Sequence, residues 1–524
     1  MSEDGGKITR RELMKRAAIV SGILPAAGSL LSALPAAGAA AGPKKDLVFV
    51  EGTDITVLDP MLVVDTPSNC PNLLVYDGLV TFDKDMNIVP VLATKWSISQ
   101  DRKTWTFSLR PNVKFANGAP FNSKSVQFTF ERIMDQATAA PSRSQFLAVD
   151  RVEAPDDLTV KFVTKYPFPD LLLVLAQPNF LAYDPAHTKK YSVKEYARNP
   201  VGTGPFMLKE WISGDRVVFV PNPNYWGPPP KVNSITYKPV PEGAARAAML
   251  RTGEADIAVK ISPEEVKNLE GDPNINVLKL DSMYQVSYEL NNTKDNPPLS
   301  NKMVRQALNH AVDKEAIVKT ILMGLGAPMV SPFGPGINFR ATFAPYRYDP
   351  EKAKKMLAEA GYPNGFKLVL NTPNGRYMKD REVTEAVQGY LRAVGVQAEV
   401  KVWEWSPYMT FIREDASREA MLLGRATPSA DYTATRLFSK SAIGLYNVTG
   451  FWREKIEDLL VKARSSFNEK ERAELYRQIQ AVVWEEAPWV FLHNQKAVVG
   501  VRKNVTGFAM LPTETNLLAN VSKQ

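Results

Sequence analysis

Between residues 103 and 110 the chain alternates strictly, with Trp105, Phe107 and Leu109 apolar and Thr104, Thr106 and Ser108 polar. A period of two suits a strand with one buried and one wet face, so this stretch predicts a half-buried antiparallel strand. The runs DLVFVEGTDI, LTVKFVT, RVVFVPNP and SITYKPV read as further strands. Helical spacing interrupts them. Residues 67–80 predict a short helix, and 122–134 predict another with Asn122 or Ser123 as N-cap. Residues 242–259 predict a helix closed by Gly253 and then a strand.

From about residue 291 long helices alternate with short strands, the pattern of an α/β lobe. Residues 301–324 place Val304, Ala307, Leu308, Ala311, Ile317, Ile321 and Leu322 on one stripe ending at Gly324, which predicts a single long helix. Residues 350–361 and 380–395 predict helices, and 366–372 a strand. Residues 396–405 predict a strand with Trp403 and Trp405 on one face, where core packing is the expected use of both and one of them is a candidate for the ligand pocket. Two more helices fill 452–487, after which 489–501 return to alternation. The expected class is therefore mixed α/β (α+β). A first domain spans 42–290, with an extra subdomain at about 85–200. A second domain spans 291–487, and 488–524 return to the first. Two connections between lobes make a hinge, which suits closure around a ligand. Repeats and low-complexity tracts are missing.

A chain of 524 residues exceeds what one core supports, and 44% hydrophobic content supplies enough for two or three lobes. The net charge of +8 raises the question of a polyanion, but no dense Lys/Arg run or nucleic-acid signature accompanies it, so no nucleic-acid partner is expected. Cys70 is the sole cysteine, which excludes an internal disulfide and a multi-cysteine metal centre. His187, His310 and His493 are too scattered for paired-ligand spacing. Neither metal nor cofactor is expected.

The N-terminus reads as an address. Lys7, Arg10, Arg11, Lys15 and Arg16 precede an apolar run from Ala17 to Leu34 and then small residues, the order of a cleavable export signal. TRRELMK is similar to the twin-arginine motif, an ordinary Sec signal or an uncleaved anchor being the alternatives. A mature start near Ala40 or Gly42 is expected, in the periplasm. No cysteine follows the apolar run, so a lipoprotein anchor is not expected.

The stretch NPVGTGPFMLKEW (199–211) looks at first like a phosphate loop. Such a loop needs a buried strand before it and a helix after it. Here YARNP precedes, Met207 stands where a third glycine belongs, and an alternating strand follows. The motif fails, and the glycines are expected to permit unusual backbone angles in a turn. A secreted hydrolase or redox enzyme is the competing class, but no GxSxG, Cys–His pairing or cofactor fingerprint supports it.

LATKWSISQDRKTWTFSLRPNVKFANGAPFNSKSVQFTFERI resembles the signature of the extracytoplasmic solute-binding proteins of family 5, which serve peptide, glutathione and nickel ABC transporters. LVYDGLV, NPVGTGPFML, NPNYW, LRTGEADIA, NKMVRQALNHAVDKEAIV, YDPEKAKKMLAEAGYPNGFKLVL and VWEEAPWVFL extend the resemblance over nearly all of residues 45–510, in order. It implies the large, dipeptide-binding-like (class C) periplasmic-binding-protein fold, with an interlobe cleft. It also implies a monomer without catalysis that captures a peptide or peptide-like ligand, possibly anionic, and hands it to ABC permease subunits in the inner membrane. A saccharide, an opine or a metal chelate is the alternative ligand.

The resemblance also implies site residues. Peptide-binding relatives use an aspartate in a GW-x-x-D-like segment for the peptide ammonium. The matching segment here is LLGRATPSADYTATRLFS, with Arg425 where Trp is common, Pro428 near the aspartate position and Asp431 aligned with a later acid. Arg425, Thr427, Ser429 and Asp431 are thus candidates. Arg425 either faces the cleft, favouring a carboxylate-rich ligand, or points to solvent or an internal acid. In NTPNGRYMKDRE (371–382), Arg376 matches the arginine that pairs with the ligand carboxylate, beside Tyr377; the other reading is a helix-entry loop with internal contacts. Thr66 and Ser68 in VVDTPSNC, and Trp405, complete the set.

Overall fold

The computed structural model describes residues 46–524. The export signal read at residues 1–41 lies outside the described residues. Among the described residues no helix is long and apolar enough to cross a membrane.

One eleven-stranded mixed sheet runs through the molecule. Its centre is a pair of long antiparallel strands, Ile275–Leu290 and Trp489–Arg502. On one side lie Ile257–Val259, Asp46–Glu51, Ser234–Pro239, Arg216–Pro221 and Phe206–Ile212, and on the other Ala420–Arg425, Lys367–Pro373 and Gln397–Trp403. The short strand Gly326–Pro328 adds to Trp489–Arg502. The first and second halves of the chain thus share a sheet through two crossing strands. Their pairing slips between Asp281 and Gln285, a bulge that bends and twists the ladder locally. Residues 85–200 contain a separate four-stranded antiparallel sheet, ordered Ala93–Ile98, Thr104–Leu109, Thr159–Thr164, Val149–Asp156. In it Trp105, Phe107 and Leu109 are buried while their polar neighbours are half-buried, as the alternation requires.

Helix ends follow local chemistry. Asn122 caps Ser123–Met134 by accepting from Lys124 N at 3.1 Å. Gly253, at φ +82°, closes Gly243–Thr252. Three expectations need correction. The helix expected at 67–80 ends at Val75, and Val80–Phe82 is a strand. The single helix expected at 301–324 is broken. Lys302–Ala311 stops at an extended Val312, and Asp313 starts a second turn by accepting from Ala316 N at 2.9 Å, after which Ile317–Ile321 is a π-helical turn. A side-chain cap available in mid-stripe outweighs unbroken apolar spacing. The strand expected to carry both tryptophans ends at Trp403, and Trp405 opens the helix Trp405–Glu414.

The Gly202–Gly204 turn is structural, but for a different reason than expected. Neither glycine has positive φ. A Cβ on Gly202 would stand 2.1 Å from Val75 O, and one on Gly204 2.6 Å from Leu74 O, so both are required by close backbone packing on the end of the helix Thr66–Val75. Gly204 N donates to Val75 O at 2.9 Å, and Thr203 Oγ1 donates to Asp77 at 3.1 Å.

Candidate functional site

The helix Thr66–Val75 begins with Asp65 as its cap, accepting from Ser68 N at 2.7 Å. This geometry aims the first turn at the second half of the chain. Asp65 Oδ2 also accepts from Thr56 Oγ1 at 3.0 Å and from the indole Nε1 of Trp405 at 3.2 Å. Thr66 Oγ1 lies 3.3 Å from the Tyr284 hydroxyl. Facing Asp65 and Thr66, the loop 374–380 wraps around the buried carboxylate of Asp380, which accepts from Arg376 N at 2.8 Å, Tyr377 N at 3.1 Å and Gly375 N at 3.3 Å. Burial pushes Asp380 up to about 6 against these donors. Gly375 at φ +72° makes the turn possible, since a Cβ there would meet Pro241 O at 2.5 Å. The wrap turns the Arg376 side chain inward.

These segments enclose an interlobe cavity of about 90 Å³. Its walls include Asp65, Thr66, Gln177, Tyr284, Arg376, Tyr377, Trp405, Arg425, Thr427, Tyr432, Arg436 and Tyr446. The two sides touch at its edge: Tyr446 donates to Val63 O at 2.8 Å and Tyr432 to Asn179 Oδ1 at 3.1 Å. Farther out, Asp170 pairs with Arg472 across the same junction.

Arg376 is 1% exposed. Its Nη2 donates to the Tyr284 hydroxyl, while Nε and Nη1 have no partner among the described residues. The guanidinium lies 4.9 Å from the Tyr377 ring centroid, 5.1 Å from Trp405 and 5.4 Å from Tyr284. Burial opposes its charge, but Tyr284, Tyr377, Glu51 and Asp65 outweigh this and hold it cationic. A permanently charged fork with two idle donors in a closed cavity is suited to a carboxylate.

Arg425 also lines the cavity, but it is committed. Its Nε and Nη2 donate to the two Glu289 oxygens at 2.6 and 2.9 Å, across the strand pair that aligns Gln285 with Arg425. Both earlier alternatives are thus partly met: the residue faces the cavity and pairs with an internal acid. Thr427 reaches the wall with its hydroxyl 2.5 Å from that of Thr433.

Three expected residues face elsewhere. Ser68 bonds Thr56 N and Thr56 Oγ1 at 2.9 Å each. Ser429 caps the helix Ala430–Phe438, accepting from Tyr432 N at 3.2 Å. Asp431 pairs with Arg464 at 3.0 Å and accepts from the Tyr476 hydroxyl at 3.3 Å, in the buried junction with Asp170 and Arg472. In each case a cap or an internal partner has claimed the polar group. Trp405 both packs in the core and lines the cavity, whereas Trp403 stacks on Phe411 at 4.5 Å and donates to Asn371 at 3.0 Å.

Sequence reading missed Asp65, Tyr284, Tyr446 and Arg436. Asp65 is also the N-cap of its helix, a local use that masks a second one. Tyr284 and Tyr446 carry no local signal. Arg436 had one: it is the sole basic residue in SADYTATRLFS, inside a helix that is buried at every position.

The family described as bacterial extracellular solute-binding proteins, family 5 Middle, matches residues 87–442. A glutathione-binding protein, GsiB, of Shigella dysenteriae serotype 1 is 34% identical over 508 residues, covering 95% of this chain and 98% of that one. The solved structure of the periplasmic binding protein DppA from Helicobacter pylori, in complex with the peptide STSA, superposes with a TM-score of 0.85 at 31% identity, covering 91% of this chain and 98% of its own. A dipeptide-binding protein from Pseudoalteromonas sp. SM9913 with Met-Leu gives 0.84 at 26%, covering 92% and 100%.

Proposed function

This chain belongs to the bacterial extracellular solute-binding proteins of family 5, and from that premise we propose that it captures a short peptide between two lobes and delivers it, unaltered, to the permease of an ABC importer. The observation that carries the ligand reading is Arg376, whose buried Nε and Nη1 lack partners in the cavity wall. A peptide carboxylate meets that fork with two parallel bonds. Asp65 is the one acid lining the wall and is in no ion pair among the described residues, and it takes the ammonium. This replaces the aspartate that relatives place near Pro428. Leaving either peptide terminus buried and unpaired costs several kcal/mol, so the two charges select a free peptide.

The relatives support the class: one is named for glutathione, and two solved neighbours hold a tetrapeptide and a dipeptide. The lobes are 42–290 with 488–524, and 291–487. The bulge between Asp281 and Gln285 in the crossing strands is the hinge. Residues 1–41 are a twin-arginine-type leader, which puts a monomeric, non-lipidated protein in the periplasm. The test is calorimetry and thermal shift with glutathione, Ser-Thr-Ser-Ala, Met-Leu, a mannose-derived opine and free sugars. One or more peptides should bind and raise Tm, since a ligand of the folded state stabilises it. Binding by sugar or opine alone, or hydrolysis of a bound peptide, overturns the reading.

A further inference from the structure

Arg436 sits in the last turn of the helix Ala430–Phe438, 7% exposed, with its guanidinium 4.5 Å from the Tyr432 ring centroid and against the face of Tyr446. It lines the same cavity as Arg376. The other deeply buried arginines show how this protein treats a buried guanidinium. Arg132 is paired with Asp59, Arg464 with Asp431 and Arg472 with Asp170. Arg246 and Arg305 each donate to several main-chain carbonyls. Arg436 makes neither kind of contact with any described residue, only the two aromatic ones.

Burial and the neighbouring Arg425 both work against the charge of Arg436. An arginine does not escape by losing its proton. Glu289 offers no relief, because both its oxygens are held by Arg425. The aromatic faces offset part of the cost, but a hydrogen-bonding anion is the partner that satisfies the fork. In the cavity wall, two guanidiniums that have no carboxylate partner among the described residues therefore stand against the single carboxylate of Asp65, which is hydrogen-bonded but in no ion pair. The site carries one net positive charge and complements a ligand with two carboxylates and one ammonium.

We infer that Arg436 is a second carboxylate anchor, making it the residue that sets specificity for short peptides carrying two carboxylates and one ammonium, a class that includes glutathione. This rests on the peptide reading above. It also assigns labour within the cavity: Arg376 and Arg436 each hold one carboxylate, Asp65 holds the ammonium, and Arg425 serves as wall.

The test uses three probes on the full exported protein: reduced glutathione, its C-terminal amide, and 4-aminobutyryl-cysteinyl-glycine, which lacks only the α-carboxylate of the glutamyl residue. Calorimetry on wild type should show at least a tenfold loss of affinity for each carboxylate-deleted probe. In Arg436→Gln one of those two losses should vanish and the other persist, while Arg436→Lys should restore part of the missing preference. Equal binding of all three probes by wild type overturns the inference and leaves the peptide reading standing. So does an Arg436→Gln protein that keeps both penalties, or that weakens all three probes equally, since that is the behaviour of a residue that only shapes the wall. If Arg436→Gln does not fold, Arg436→Lys decides: penalties for both deleted carboxylates identical to those of wild type overturn the inference. Failure of wild type to bind these probes, Ser-Thr-Ser-Ala and Met-Leu overturns the peptide reading itself.

Discussion

Arg425 holds Glu289 by two bonds of 2.6 and 2.9 Å between neighbouring strands, so the most conspicuous cation of the cleft segment is neutralised before any ligand arrives. The Glu289 side chain is 2% exposed. Removing one partner of a buried pair leaves a naked charge, which costs about 3–5 kcal/mol. Glu289→Gln should lower unfolding stability in urea by about 3 kcal/mol. A loss under about 1 kcal/mol would mean that water or a rearranged neighbour already satisfies Arg425.

Arg376→Met should separate binding from stability. Its one hydrogen bond, to Tyr284, and its attraction to the nearby acids are lost, so the unliganded protein should melt somewhat below the wild-type temperature. Affinity for glutathione should fall by about 30-fold or more, the equivalent of about 2 kcal/mol for a lost buried charge pair. A variant with unchanged affinity would remove Arg376 from the site.

His493 lies in the strand Trp489–Arg502 with neither ring nitrogen partnered among the described residues, and burial alone pushes its pKa down to about 4. The unfolded chain takes up a proton near the usual histidine value and the folded one does not, so stability is lost as pH falls from about 6.5 to 4, by about 3 kcal/mol in all. Asp77 and Asp380, raised by burial to about 6, and Asp170, raised to about 7, act in the opposite sense over the same window: the folded form binds the proton first. The wild-type curve alone is therefore uninformative. The difference between wild type and His493→Phe in denaturant titrations should shrink by about 3 kcal/mol between pH 7 and pH 4. Parallel curves would show that the ring protonates as easily folded as unfolded.

Gly204→Ala would place a methyl 2.6 Å from Leu74 O, where main chain cannot yield easily. Overpacking of this kind costs about 1–3 kcal/mol. Tm should drop while calorimetric affinity of the folded protein for any peptide that the wild type binds stays within twofold. Lost affinity at unchanged Tm would give the turn a ligand role after all.

Much of the architecture was legible in the chain because its causes are local. Alternation placed the strand Thr104–Leu109, Gly253 closed its helix, and Asn122 capped another, each through groups within one turn of the residue concerned. The errors arose where two local signals competed, as at Asp313, whose cap broke an otherwise continuous stripe. The lining of the candidate cavity was legible in part. Arg376, Tyr377, Thr66, Trp405, Arg425 and Thr427 do reach the cavity, whereas Ser68, Ser429 and Asp431 are spent on caps and an internal pair.

By itself the sequence determined the class of fold, the family and the segments that would meet at the cleft, since periodicity, turns and capping act between residues close along the chain. Only the tertiary structure decided which charges remain available to a ligand. Glu289 cancels Arg425 from 136 positions away, Arg464 takes Asp431, and no described residue takes Arg436. A charge is free or committed according to what lies within about 3 Å of it, and that proximity belongs to the folded chain.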